Sequence, residues 1–202
     1  LIDADIRKAE TLPSEFYTDE QHYSKQMEVL SKSLQFVGHS SEFTSDMTPI
    51  PHLELILNQP LLRTNHESDK HLLSNVCTHR GMVLCQEKKN GKSIQCPYHG
   101  RTFQRNGKVK HMPGFENVEN FPSESDNLPS LNLKEWFGFE FTSFDASKEL
   151  KSILQPIEQR MNWWLNDLHL RHDVSRDREW DINANWILYV DNYLEGFHIP
   201  FV

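Results

Sequence analysis

Apolar positions change their spacing twice along the chain. Tyr23, Met27, Leu30 and Leu34 recur at three- and four-residue steps, which predicts a helix with one apolar face. Thr18-Asp19-Glu20 in front of it supplies a cap and early negative charge, so residues 1–35 read as a helical segment. From Gln35 to about Asp145 the pattern turns into short runs broken by Gly, Pro, Asn and Asp. Leu53–Leu57, Leu61–Thr64, Ser93–Gln95, Thr102–Gln104, Lys108–His111 and Phe137–Phe144 are predicted strands. Asn90-Gly91 and Asn106-Gly107 are hairpin signals, because a type I′ turn needs positive φ at both central residues.

Helical spacing returns at Leu150, Leu154, Ile157 and Met161. A polar stretch from Asp167 to Glu179 follows, then a predicted strand at Trp180–Ile182 and a last helix over Asn185–His198. The class expected is α+β, in three parts: a helical segment over 1–35 packing on the third part, an all-β block over 36–145, and a further α+β region over 146–202.

Composition narrows the function. A net charge of −8 argues against nucleic acid as a partner, since phosphate binding needs basic surface. The sequence contains no apolar run of the roughly 18–20 residues a membrane span requires. The opening Leu1-Ile2-Asp3-Ala4-Asp5 has no signal-peptide pattern and no initiator Met, so a cytoplasmic protein with an altered N-terminus is expected. The three cysteines, Cys77, Cys85 and Cys96, do not make a secreted disulfide framework.

Two of them stand in paired metal-ligand motifs: Cys77-Thr78-His79-Arg80-Gly81 and Cys96-Pro97-Tyr98-His99-Gly100, with 16 residues between His79 and Cys96. Four soft or borderline ligands in two Gly-containing loops, read as the tips of neighbouring hairpins, form a metal site by composition. Zinc is the rival to an iron–sulfur cluster, but a Cys-x-His pair is cramped for a zinc finger, whose paired ligands are usually about two to five residues apart.

The Cys77-x-His79 and Cys96-x-x-His99 set, with Cys-Pro-Tyr-His-Gly, resembles the Rieske signature. The resemblance implies a [2Fe–2S] cluster with Cys77 and Cys96 on one iron and His79 and His99 on the other. Neutral imidazoles in place of two thiolates make such a cluster less anionic and easier to reduce. Gly81 and Gly100 would let loop amides approach the sulfurs. Respiratory-complex Rieske proteins carry an additional disulfide between these loops. Here Cys85 has no such partner and is expected to be a small buried residue.

In the last predicted helix, Asp191, Glu195 and His198 fall at i, i+4 and i+7, with Asn192 at the edge of that stripe. The remaining positions are mostly apolar or aromatic, as in a buried helix, and Pro200 should end it beside His198. Asn185, Trp186, Asp191, Asn192, Glu195, Phe197 and His198 resemble the iron-binding helix of Rieske non-haem iron ring-hydroxylating oxygenase α subunits. The resemblance makes residues 146–202 the start of a helix-grip catalytic domain. It makes His198 a ligand of a mononuclear Fe(II), and Glu195 the bridging acid through which electrons reach that iron. Asn192 and Asp191 are further candidates beside it. It also implies O₂, NAD(P)H-derived electrons delivered by a reductase or ferredoxin, a homotrimer, and a small organic substrate, either an aromatic ring or a quaternary amine. Asp-Asn-Tyr-Leu-Glu leans toward relatives acting on choline or carnitine.

Two departures stand out. The family's second iron His and its iron carboxylate fall beyond Val202, so a shortened chain is expected. Arg101 stands where relatives usually carry Trp, placing a cation beneath the second loop. The alternatives are a Rieske-ferredoxin-type carrier without oxygenase chemistry and a zinc-stabilised interaction module. His111, His169 and His172 read as solvated histidines.

Overall fold

The computed structural model describes residues 2–145, 149–165, 169–196 and 198–201. The expected boundary at residue 146, the start of the polar stretch at Asp167, and Phe197 lie outside the described residues. The chain divides into two compact units, one formed by residues 31–173 and one by 1–30 with 174–202.

The larger unit holds the sheets. β1 (Gln35–His39), β2 (Met47–Pro49), β3 (Leu61–His66), β4 (Asp69–Ser74), β5 (Ile94–Gln95), β6 (Thr102–Phe103), β7 (Val109–His111), β8 (Ser130–Leu131), β9 (Leu133–Trp136) and β10 (Phe139–Thr142) precede the helix Leu150–Leu165. They form antiparallel sheets in the orders β1-β10-β9, β2-β3-β4-β8 and β5-β6-β7. The central hairpin is buried on both faces. Leu62 pairs with Leu73 and packs with Met47, Leu84, Ile94 and Phe103. Their neighbours Leu61 and Leu72 point the other way, into Val37, Phe43, Ile50, Leu53 and Leu57. The first of these cores also contains Cys77, Cys85 and Cys96, so the ligand loops rest directly on it.

Most of the predicted strands form, and the exceptions have local causes. Leu53–Leu57 is not a strand: Pro51–Leu53 is a 3₁₀ turn leading into a short helix, Glu54–Leu57. Pro51 presets the turn, and Leu53 and Leu57, four apart, are both buried while Leu55 is exposed. Asn90-Gly91 closes no hairpin. The Asp46 N–H donates to Asn90 Oδ1 (2.9 Å), and the Gly91 N–H donates to Asp46 Oδ2 (2.9 Å), pinning the pair beside β2. Asn106-Gly107 does join β6 to β7, but only Gly107 has positive φ (88°). The Gly107 N–H donates to Gln104 O, which makes a turn followed by a left-handed Gly in place of a type I′ turn. Trp180–Ile182 is irregular, and Trp180 and Ile182 are both exposed.

Glu15–Thr18 in the smaller unit forms one helical turn, and the second helix, Glu20–Lys32, begins in that unit. The Asp19 carboxylate accepts from the Gln21 and His22 N–H groups (3.0 Å each), the cap anticipated from the sequence. The last helix is shorter than predicted, Trp186–Leu194. Glu195 is already extended (φ −98°, ψ 150°), so Asp191, Glu195 and His198 do not share one helical stripe. The helix has no buried residue, and Leu188, Tyr189, Tyr193 and Leu194 are exposed, against the expectation of a buried helix. Gly196 follows the extended Glu195, and Ile199–Phe201, which includes Pro200, is a separate 3₁₀ turn. No described helix is long and apolar enough to cross a membrane.

Candidate metal centre

The two ligand loops are built on one plan. In the first, the Cys77 N–H donates to Met82 O (2.8 Å) and the Gly81 N–H to Cys77 O (3.0 Å). In the second, the Cys96 N–H donates to Arg101 O (2.8 Å) and the Gly100 N–H to Cys96 O (3.1 Å). Each turn closes through a left-handed glycine, Gly81 at φ 71° and Gly100 at φ 74°. The first loop extends β4 and is held at its base by the Val76–Val83 bridge, and the second joins β5 to β6. The hairpin-tip expectation thus holds for the second loop and, with a single bridge for a stem, in outline for the first.

The donors sort by depth. Cys77 and Cys96 are buried, His79 is half-buried and His99 is exposed. Cys77 and Cys96 belong to the same buried cluster. Burial pushes the Cys77 thiol above its ordinary range, the neighbouring Cys96 adds to this, and the N–H groups of His79 and Arg80 oppose it by donating to the sulfur. The His79 and His99 rings sit edge to face with centroids 5.0 Å apart. Desolvation lowers the His79 pKa, and the charges of Arg101, His99 and Arg80 lower it further. Phe115 packs edge-on to His79 (6.0 Å), and Tyr98 lies over His99 (3.7 Å).

Among the described residues, no three His, Cys, Asp or Glu side chains converge on one metal position. The donors stand as a sulfur pair and an imidazole pair. That division suits two iron atoms with two protein ligands each better than one tetrahedral zinc. The residues present therefore fit a [2Fe–2S] group, with each pair carried on a loop closed by a left-handed glycine.

Arg101 lies beneath both loops, 3% exposed. Its carbonyl accepts from Cys96, and its Nη1 donates to Thr78 Oγ1 (2.9 Å) and to Asp126 Oδ1 (3.2 Å). The Thr78 hydroxyl in turn donates to Asp126 O (2.7 Å). The sequence marked Arg101 as a cation near the site, but nothing in it linked Thr78 or Asp126 to that charge.

Cys85 is buried in the same core. The Asn75 side chain clasps its backbone, donating to Cys85 O (2.7 Å) and accepting from its N–H (3.0 Å). His111 and His169 are exposed, as expected, whereas the His172 side chain is 27% exposed and its Nδ1 lies 3.4 Å from Glu42 Oε2.

The residues singled out in the last helix stand as follows. His198 Nδ1 and Glu195 Oε1 are 2.5 Å apart; an ionised carboxylate can only accept, which places the proton on Nδ1 and leaves Nε2 as the lone-pair nitrogen. Asp191 accepts from the Tyr17 hydroxyl at 2.6 Å, and Asn192 is exposed. Asn185 caps the helix through the Ile187 N–H (3.0 Å), and its Nδ2 donates to Tyr17 O (3.1 Å) and Gln26 Oε1 (3.0 Å). Tyr17 and Gln26 carried no signal in the sequence.

Residues 33–122, which hold both Cys–His loops, match the Rieske [2Fe-2S] domain family. Over almost its whole length the chain is also related to the N-terminal part of Rieske oxygenase subunits. It is 32% identical over 200 residues to the carnitine monooxygenase oxygenase subunit of Escherichia coli (strain K12), covering 96% of this chain and 52% of that protein. It is 26% identical over 216 residues to the chloroplastic choline monooxygenase of Arabidopsis thaliana, covering 97% and 49%. The crystal structure of the quaternary ammonium Rieske monooxygenase CntA in complex with L-carnitine superposes with a TM-score of 0.77 at 28% identity, covering 95% of this chain and 55% of that one. The chain thus spans about half the length of the curated relatives it matches.

Proposed function

We propose that this chain is the electron-receiving part of the oxygenase component of a Rieske non-haem iron system acting on a quaternary amine. The observation that carries the reading is the pair of matched loops, with buried Cys77 and Cys96 beneath the less buried His79 and His99. The substrate class is drawn from the carnitine and choline monooxygenases it is similar to.

Cys77 and Cys96 would hold one iron of the cluster, and His79 and His99 the other. When bound, the [2Fe–2S] group supplies storage for one electron at a time. The residues around it do the rest. Buried thiols over the Met47–Leu62–Leu73 core keep water from the sulfur side. The outer imidazole edges are the places where a reductase or ferredoxin, and then an acceptor, can approach. The Glu195 carboxylate orients His198 and fixes its tautomer, the usual role of a carboxylate behind a metal-binding imidazole.

The described residues gather only Glu195 and His198 at the second site, with no third ligand, so no iron-dependent step is assigned to this chain. Cytoplasmic location and a homotrimer, with Glu195 reaching a neighbouring subunit's cluster, belong to the same proposal.

Absorbance, EPR, and iron and sulfide analysis of the purified protein test the first half of the reading. A colourless protein containing only zinc would overturn it. Replacing Glu195 by Gln in the intact protein should spare the cluster spectrum and abolish carnitine or choline turnover. A wild-type protein that takes up and passes on electrons but consumes no O₂ with any quaternary amine would instead be a ferredoxin-type carrier.

A further inference from the structure

We propose that Arg101 and Asp126 together set the electrical environment of the cluster, Arg101 raising its reduction potential and Asp126 holding that effect down. The inference rests on the [2Fe–2S] reading above and goes beyond it, to two residues outside the ligand set.

Arg101 belongs to both ligand loops at once. Its backbone carbonyl accepts from the Cys96 N–H in the second loop. Its guanidinium binds Thr78, which stands between Cys77 and His79 in the first. The side chain is 4% exposed, so solvent screens its charge poorly. Phe115 and Phe121 flank it at 5.9 and 5.3 Å, and Phe115 also covers His79. Its Nε is buried without a hydrogen-bond partner among the described residues. The fork is therefore only partly satisfied, and the charge is not consumed by a bidentate carboxylate, as it is in the Arg63–Glu140 pair elsewhere in this unit.

Asp126 is the compensating group. One carboxylate oxygen meets Arg101 at 3.2 Å, while the other accepts from the Ser123 N–H and hydroxyl (2.9 and 2.8 Å). The carboxylate is thus shared between the cation and a turn, and its side chain is 20% exposed. A buried cation facing a more exposed and divided anion leaves net positive potential beneath the loops. Reduction adds one negative charge to the cluster without making or breaking a bond to Arg101. The cation favours the reduced form by simple attraction, and Asp126 opposes it.

The test is the midpoint potential of the full chain carrying its cluster, measured by spectroelectrochemistry at one fixed pH, with EPR to check that the ligand set is unchanged. Arg101→Gln should lower the potential and Asp126→Asn should raise it, each by at least a tenfold change in the reduction equilibrium, about 59 mV for one electron. Arg101→Lys, which keeps the charge but loses the fork, should stay near the wild type. Shifts of opposite sign are not expected from mere loosening of the loops. An unmoved potential in Asp126→Asn, or shifts in the same direction for both neutral variants, overturns the inference. If Arg101→Gln fails to load a cluster, Asp126→Asn and Arg101→Lys still decide it. A wild-type chain without a Rieske spectrum defeats the cluster reading itself, whereas a normal spectrum with unmoved potentials defeats only this inference.

Discussion

Arg63 on β3 and Glu140 on β10 form a bidentate ion pair with no more than 1% of either side chain exposed, Nε to Oε2 at 2.6 Å and Nη2 to Oε1 at 2.9 Å. It joins the sheet that leads into the first ligand loop to the sheet that closes the unit. Arg63 Nη1 also donates to Thr64 O (2.5 Å) and Asn65 Oδ1 (2.9 Å), so its donors are largely used. Removing one partner strands a buried charge. Glu140→Ala should cost about 3–5 kcal/mol in denaturant unfolding. The double variant Arg63→Met with Glu140→Leu should recover most of that loss, because well-packed apolar replacements of a buried pair are often neutral. A double variant as unstable as the single one would show that the pair does more than neutralise itself.

The two ligand-loop glycines separate backbone strain from crowding. Both have φ near +70°, but a Cβ on Gly81 meets nothing within 4 Å, while one on Gly100 comes within 3.3 Å of Pro113 Cγ. Gly81→Ala should cost only the left-handed penalty, about 1–2 kcal/mol. Gly100→Ala should cost more and also lower iron loading, as Pro113 and the loop move apart. Denaturant midpoints and iron content of the two variants, measured side by side, check the order.

The two matched Cys–His loops were legible because metal chemistry fixes residue type and spacing at once: Cys-x-His and Cys-x-x-His, each with a glycine, leave few other readings. The β texture was legible from turn residues and period-two runs. Leu53–Leu57 misled because a short apolar run fits a period of two or of four, and only burial of Leu53 and Leu57 around an exposed Leu55 decides between them. The last helix misled for a different reason. Helical spacing carried the reading through Glu195 to His198, but the chain leaves the helix at Leu194, and nothing in the spacing marks that point. Thr78, Asp126, Tyr17 and Gln26 were invisible because their roles depend on residues distant in sequence, as Thr78 does on Arg101, 23 positions further on.

Asn185 should prove structural. Its side chain caps Trp186–Leu194 and also supplies Tyr17 O and Gln26 Oε1, so Asn185→Ala removes a cap worth about 1 kcal/mol and two further donor bonds. Unfolding of this variant should shift by more than that of a cap alone. A loss of a few tenths of a kcal/mol would mean that the two extra bonds contribute nothing.

Tyr17 gives a spectroscopic handle on the same region. Its hydroxyl donates to Asp191, and that bond, reinforced by desolvation and the carboxylate charge, raises the phenol pKa above its ordinary value. Asp191→Asn should let Tyr17 ionise earlier. The alkaline absorbance difference between Asp191→Asn with and without Tyr17→Phe isolates that one phenol among the five tyrosines. A titration curve unmoved from the wild type would show that the bond does not persist in solution.

Asp126 predicts the acid limit of the larger unit. Burial alone would raise its pKa, but the Ser123 N–H and hydroxyl and the Arg101 charge outweigh burial and hold it below the usual carboxylate range. A folded-state pKa below the unfolded one means that the carboxylate stabilises the fold at all pH above its unfolded value. That contribution is lost as pH falls through the folded value. Wild type should therefore exceed Asp126→Asn in stability at neutral pH, and the gap should close on acidification below about pH 4. Because the lost interactions are those that brace Thr78 and Arg101, cluster release should begin at higher pH in the variant. Denaturant midpoints of wild type and variant across this range, with absorbance followed in parallel, test both. Curves that stay parallel down to the lowest pH would assign the stabilisation to the turn at Ser123–Asp126 and not to the charge.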